Sequence, residues 1–254
     1  MRNVIGIDVG GTKITGVLFD GKKQLKELTI VTPKNLFEFE RNILKLTDFL
    51  SANEKISGVG IGMAGLVDPK VGVIKYSANF KFKGHPNIFK LFKDHGYKNV
   101  KIDNDANCFT RAEMLLGQGK NCKNFLGVIL GTGMGGGMVL DGKLYRGQNN
   151  MGGEFGHLVV NGEFLEKPYQ KARNANNYKE LGIILGWQFA GLVNVFAPQA
   201  LILGGGVSQN AHAKFIPGVQ KEMKKFFVNE KTKVQVLASK LKNPGALGAA
   251  LLFK

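Results

Sequence analysis

The sequence predicts an α/β protein of two related lobes that face one another across a cleft, and two observations carry this. A β-rich run, a Gly-Thr turn and a second β-rich run occur twice, once in each half of the chain. Around both copies, short apolar runs of strand character alternate with segments of helical periodicity. Ligand in the cleft between such lobes is the default expectation.

In the first half, runs 3–9 and 13–19 are joined by Gly10-Gly11-Thr12 and read as a hairpin. Phe19-Asp20-Gly21 signals a turn toward a third run at 25–31. A helical pattern over 36–50, an apolar strand over 56–63 and a short strand around 72–76 complete a mixed β-β-β-α-β lobe. Residues 100–103 read as a further strand and 106–116 as a helix.

The second copy consists of an apolar strand at 125–130, a glycine turn at 131–137 and a return strand at 138–140. A long apolar-faced helix follows at 177–196, stopped by Pro198, then a strand at 200–203 that runs into Gly204-Gly205-Gly206. No low-complexity linker separates the halves. The boundary is placed near Asn104, with 1–104 a small lobe and 105–243 a larger one. A C-terminal helix, about 244–254, is expected to pack back onto the first lobe.

A chain of 254 residues with 44% hydrophobic residues can bury a sizeable core without staples. Its two cysteines, Cys108 and Cys122, are too few for a disulfide framework and lack a Cys-x-x-Cys spacing. They read as reduced thiols of a cytoplasmic protein. Asp8 interrupts the only apolar stretch near Met1, so no export signal is visible, and no apolar run approaches the roughly 20 residues that span a bilayer. The formal net charge of +16 raises nucleic-acid binding, but the lysines are scattered and few aromatics stand among them as stacking platforms. A solvated basic surface is the plainer reading.

Asp8 closes a buried strand immediately before Gly10-Gly11-Thr12-Lys13. Glycines there allow backbone N–H groups to approach phosphate oxygens without interference from Cβ, and the acid can hold Mg²⁺. One such turn is weak evidence, because Gly-Gly is also an ordinary hairpin turn. A second, Gly131-Thr132-Gly133, and a third glycine-rich strand end at Gly204-Gly205-Gly206 make three chance turns a poor explanation. Neither a Walker A ending nor a dinucleotide fingerprint occurs.

Asp103-Asn104-Asp105 stands between a strand and a helix, where Asp105 can either cap the helix or accept a proton from a substrate hydroxyl. Spacing alone leaves that choice open. Glu154-Phe155-Gly156-His157 places two polar side chains around a close-packed glycine, a pair suited to vicinal hydroxyls but equally common on a surface.

Taken in order, these motifs resemble the ROK family of repressors, open reading frames and sugar kinases, over nearly the whole chain. The resemblance implies the two-lobed actin-like ATPase (ribonuclease H-like) fold and an ATP-dependent sugar kinase with Mg²⁺. Asp8 to Lys13 looks like the first phosphate motif, Gly131-Thr132-Gly133 the second, and Gly204-Gly205-Gly206 the adenosine-side turn. It implies that Asp105 is the general base and that Asn104, Glu154 and His157 hold sugar hydroxyls, with Gly65 and Asn79 on the sugar-side loops. A hexose kinase is the leading expectation. An N-acetylhexosamine kinase and a non-catalytic sugar or nucleotide sensor are the alternatives.

Family members usually carry zinc on a His and a Cys cluster after Glu-x-Gly-His, whereas here no cysteine follows His157, so no zinc site is expected. The segment is also short, and Glu166 stands where the family has its Gly-Cys-Leu-Glu acid, a sugar contact or else a solvated carboxylate. The repressor branch needs a winged helix ahead of Asp8, for which there is no room, so no DNA-binding domain is expected. Dimerisation is implied by the resemblance alone.

Overall fold

The computed structural model describes residues 3–76, 84 and 86–254. The chain divides into two compact units, one comprising Met1–Ala112, Gly147–Met151 and Leu241–Lys254, the other Glu113–Arg146 and Gly152–Lys240.

In the first unit, β1 (Asn3–Val9) and β2 (Lys13–Phe19) pair antiparallel, and β3 (Gln24–Val31) continues the meander. Burial along β3 alternates residue by residue, as it must where only one face is covered. Helix α1 (Leu36–Ser51) starts where the Asn35 side chain accepts the Glu38 N–H, and buries Phe39, Ile43, Leu46 and Leu50 along one stripe. Strand β4 (Ile56–Met63) lies parallel to β1. A ribbon of β5 (Leu66–Asp68) and β6 (Val73–Tyr76) follows, then α2 (Ile88–Asp94). Strand β7 (Val100–Asn104) runs parallel to β4 and passes directly into α3 (Asp105–Leu115). The sheet order is β3-β2-β1-β4-β7.

The second unit repeats this plan. Strands β8 (Phe125–Leu130), β9 (Met134–Leu140) and β10 (Lys143–Tyr145) form an antiparallel meander. A small hairpin of β11 (Val159–Val160) and β12 (Glu163–Phe164) leads to α4 (Glu166–Asn174) and α5 (Tyr178–Phe196). Then come β13 (Ala200–Gly204), α6 (Gly205–Lys224) and β14 (Gln235–Ala238). The order β10-β9-β8-β13-β14 matches that of the first sheet, three antiparallel strands followed by two parallel ones. Each unit has its own hydrophobic core.

Of the elements that differ from the sequence reading, three bear on the second glycine turn or the core beside it. Strand β9 begins at Met134, four residues earlier than expected, so the second glycine turn is only Gly131-Thr132-Gly133. Helix α4 was not visible in the charged segment after Glu163. Helix α6 was masked by Gly205, Gly206, Pro217 and Gly218, all poor helix formers. It is held by the buried row Ala211, Phe215, Val219 and Met223, and by a close approach to α5 at Gly182, where a Cβ would lie 3.1 Å from the Phe215 carbonyl oxygen.

The last helix, α7 (Pro244–Ala250), lies on β1 and β4 of the first unit. A Cβ on Gly6 would stand 2.0 Å from the Ala246 carbonyl oxygen, and one on Gly60 would stand 1.9 Å from that of Ala249. Among the described residues no helix is long and apolar enough to cross a membrane.

Candidate active site

The carboxyl ends of β1, β4 and β7 lie side by side, with Asp8 opposite Gly62 and Gly62 opposite Asp103. Each of these strands delivers a polar or glycine-rich turn to the same end of the sheet, where no further strand residues compete for the backbone groups. The Gly10–Lys13 turn is closed by the Gly10 N–H donating to the Lys13 carbonyl (3.1 Å). Thr32, buried just beyond β3, holds the turn from behind. Its N–H donates to the Thr12 carbonyl (3.1 Å) and its hydroxyl to the Gly10 carbonyl (2.7 Å). Gly11, Thr12 and Lys13 are exposed.

Asn104, the last residue of β7, caps α3, because its Oδ1 accepts the N–H groups of Ala106 (2.9 Å) and Asn107 (3.1 Å). Its Nδ2 donates to the Gly65 carbonyl (3.0 Å), which ties α3 to the β4–β5 turn, where Gly65 has φ 112°. The cap is therefore Asn104, and Asp105 shares the Ala106 N–H through its Oδ1 (2.9 Å). Beneath it, a Cβ on Gly62 would meet the Cys108 Sγ at 3.1 Å. Asp103 is buried and accepts from the Asn104 N–H and the Asn107 side chain.

Burial, and next the Asp105 carboxylate, push the Asp8 carboxyl up to about 7, against the opposing pull of Lys13. A buried carboxyl raised by a neighbouring carboxylate in this way suits a cation. Mg²⁺ needs one or two carboxylates with water and phosphate oxygens rather than an all-protein cage. Among the described residues no group of three or more His, Cys, Asp or Glu side chains could hold a metal ion. Asn79 lies outside the described residues.

In the second unit, Gly131-Thr132-Gly133 joins β8 to β9, and the Gly131 N–H donates to the Gly133 carbonyl (3.0 Å). The Gly204-Gly205-Gly206 turn lies beside it, at the end of the neighbouring strand β13. Gly205 has φ 83°, and a Cβ there would strike the Leu130 carbonyl oxygen at 2.4 Å. Both the positive φ and the missing space require glycine.

Glu154 precedes and His157 ends a 3₁₀ turn that rests on β9. A Cβ on Gly156 would lie 2.5 Å from the Met134 carbonyl oxygen, so glycine brings this turn hard against the start of β9, next to the phosphate-type turn. His157 Nδ1 stands 3.2 Å from Glu154 Oε2, both side chains are about half exposed, and the imidazole meets Phe164 edge-on. Glu166 opens α4 and lies over the second turn, for a Cβ on Gly133 would come 2.1 Å from its Oε1.

Sequence reasoning did not single out the residues that hold these turns from behind, Thr32 in the first unit and Tyr169, Gln170 and Arg173 in the second. The last three share one face of α4 with Glu166, at the i, i+3, i+4, i+7 spacing of a helix, and that spacing was the available signal.

Known proteins share this fold. The chain is 29% identical over 308 aligned positions to a glucokinase of Thermotoga maritima, covering 99% of this chain and 97% of that protein. It is 36% identical to an N-acetyl-D-glucosamine kinase of Pasteurella multocida, over 61% of this chain and 52% of that protein. The crystal structure of a ROK family glucokinase from Streptomyces griseus, in complex with glucose and AMPPNP, superposes with a TM-score of 0.86 at 26% identity, over 98% of both chains. A ROK hexokinase from Thermus thermophilus gives 0.83 at 26%, over 98% of this chain and 97% of that one. The fold is thus that of the actin-like ATPases. The ROK family model matches residues 4–172 and 163–254, two stretches that overlap at 163–172. Between them they leave out only the first three residues, and the chain belongs to the ROK family.

Proposed function

We propose that this protein phosphorylates a hexose with MgATP, and that Asp105 accepts the proton of the attacking hydroxyl. That it is an ATP-dependent sugar kinase rests on its family and on its likeness to glucokinases along the full chain. The hexose reading is favoured because the glucokinase match runs through the whole chain, whereas the N-acetylglucosamine kinase match covers 61% of it.

The observation that carries the role of Asp105 is its place in the first unit. Its carboxylate lies close enough to Asp8 to raise that acid, and the neighbouring Asn104 has taken over the capping of α3. A base for this step has to lie beside the phosphate-binding turn, and phosphoryl transfer asks for positioning and charge stabilisation more than covalent chemistry. Backbone N–H groups of the Gly10–Lys13 and Gly131–Gly133 turns would hold phosphate oxygens, and the Gly204–Gly206 turn would take the adenosine side. Asp8 would hold Mg²⁺, which when bound offsets charge on those oxygens. Asn104, Gly65 and Asn79, with Glu154, His157 and Glu166, would bind the sugar hydroxyls. Glu166 lies against Gly133, so a hydroxyl it holds would be near the turn that carries the transferred phosphate.

The test is ADP release with MgATP against glucose, fructose, mannose, N-acetylglucosamine and N-acetylmannosamine, for the native chain and Asp105→Asn. Hexose-dependent turnover that falls about 10²- to 10⁴-fold in Asp105→Asn, with nucleotide affinity kept, is the expected outcome. Preference for an acetylated sugar would move the acceptor to the N-acetylhexosamines. No turnover with any sugar, in a folded protein that binds ATP, would mean a sensor.

A further inference from the structure

Helix α4 holds the second glycine turn by its carbonyls. Arg173 Nη1 donates to the carbonyl oxygens of both Gly131 and Thr132, each at 2.7 Å, and the Tyr169 hydroxyl donates to Gly131 at 2.8 Å. Gln170 Nε2 adds a longer contact to Thr132 O at 3.3 Å. The guanidinium is itself fixed, since its Nε and Nη2 both donate to Asn174 Oδ1 (3.1 and 2.7 Å), and it lies 6.0 Å from the Tyr169 ring centroid. Tyr169 is buried, and burial pushes its hydroxyl well up, so it remains a donor throughout the neutral range.

In a trans peptide the N–H points opposite to the C=O. The Gly131 carbonyl shares its peptide with the Thr132 N–H, and the Thr132 carbonyl shares its peptide with the Gly133 N–H. A cation that grips both carbonyls therefore sets both N–H groups facing the other way, and polarises them as donors. Thr32 does the same for the first turn without a charge, through its hydroxyl on the Gly10 carbonyl and its backbone N–H on that of Thr12. Among the described residues, only the second turn carries a charged clamp on its carbonyls, and that clamp sits on α4.

We infer that Arg173, supported by Tyr169, is a positioning residue that aims the Thr132 and Gly133 N–H groups at the phosphates of the nucleotide. The inference rests on the kinase reading of the same turn. A carbonyl clamp acts on the phosphate chain alone, so it leaves the affinity for adenosine and for sugar unchanged. A residue needed only for the fold would move these together with stability.

Calorimetric binding of MgAMPPNP and of adenosine to the native chain, Arg173→Ala, Arg173→Lys and Tyr169→Phe tests it, with glucose KM and thermal midpoint measured alongside. Arg173→Ala is expected to weaken MgAMPPNP about tenfold or more, with adenosine affinity and glucose KM within about twofold of the native chain. Added guanidinium should restore part of the loss, and Arg173→Lys and Tyr169→Phe should fall between. Equal nucleotide affinity in Arg173→Ala and the native chain overturns the clamp and leaves the kinase reading standing. Parallel losses for adenosine and MgAMPPNP also overturn it. A native chain that binds no MgAMPPNP overturns both.

Discussion

Glu113 is fully buried on α3, two turns beyond Asp105, and takes no part in the chemistry proposed for that helix. Its Oε1 accepts the Ser239 hydroxyl and its Oε2 the Gln118 N–H at 2.9 Å. Burial raises its carboxyl above the ordinary glutamate range, and these two hydrogen bonds pull it only partly back. The unfolded chain then ionises this group first, at about pH 4.3, while the native state still holds the proton. Its contribution to stability is complete below that pH and is lost as pH rises through the raised native value. Glu113→Gln, which has no proton to lose, should gain in thermal midpoint relative to the native chain as pH rises from about 4 to 7. A difference that stays constant with pH would contradict this. At the same scale, the sequence left Asp105 open between cap and base. Only the Asn104 contacts to Ala106 and Asn107 show which side chain takes the cap.

Some glycines of the elements leave no room for a Cβ beside neighbouring backbone, and others would meet nothing. Gly6 and Gly60 let α7 lie against β1 and β4, and a methyl group there would collide with helix carbonyls far inside van der Waals contact. Gly6→Ala or Gly60→Ala should cost about 1–3 kcal/mol or more, read as a lower denaturant midpoint. Gly191, on the exposed face of α5, would meet nothing within 4 Å. Gly191→Ala should raise the midpoint, by about 0.5–1 kcal/mol, since alanine is the better helix former. Strand-level organisation was legible because alternation and glycine turns are local signals, and β1, β2, β4 and β8 stand where their apolar runs placed them. Helix α6 was not, since its glycines and Pro217 argue against a helix locally and only burial against α5 outweighs them.

Across the whole molecule, one sheet order occurs in both units, and the glycine turns of each lie at the carboxyl ends of its strands. The alignment with the Thermotoga maritima glucokinase runs to 308 positions against 254 residues here, so this chain is the shorter, and the family model matches it in two stretches that overlap at 163–172. No cysteine follows His157, and α4 carries Glu166, Tyr169 and Arg173 directly onto the second turn. Activity should therefore vanish on EDTA dialysis and return in full with Mg²⁺ alone. A requirement for added Zn²⁺, or zinc retained by the purified protein in equimolar amount, would refute this.

The sequence alone determined the family, the duplicated strand–turn–strand plan and the identity of the glycine turns, because each depends on a few adjacent residues whose backbone freedom is set locally. Tertiary structure decided which side chains act on those turns. Asn104 reaches Gly65 across 39 positions, and Arg173 reaches Gly131 across 42. A polar group's role is set by the partner that the fold brings to it, and partners so distant leave no local pattern to read.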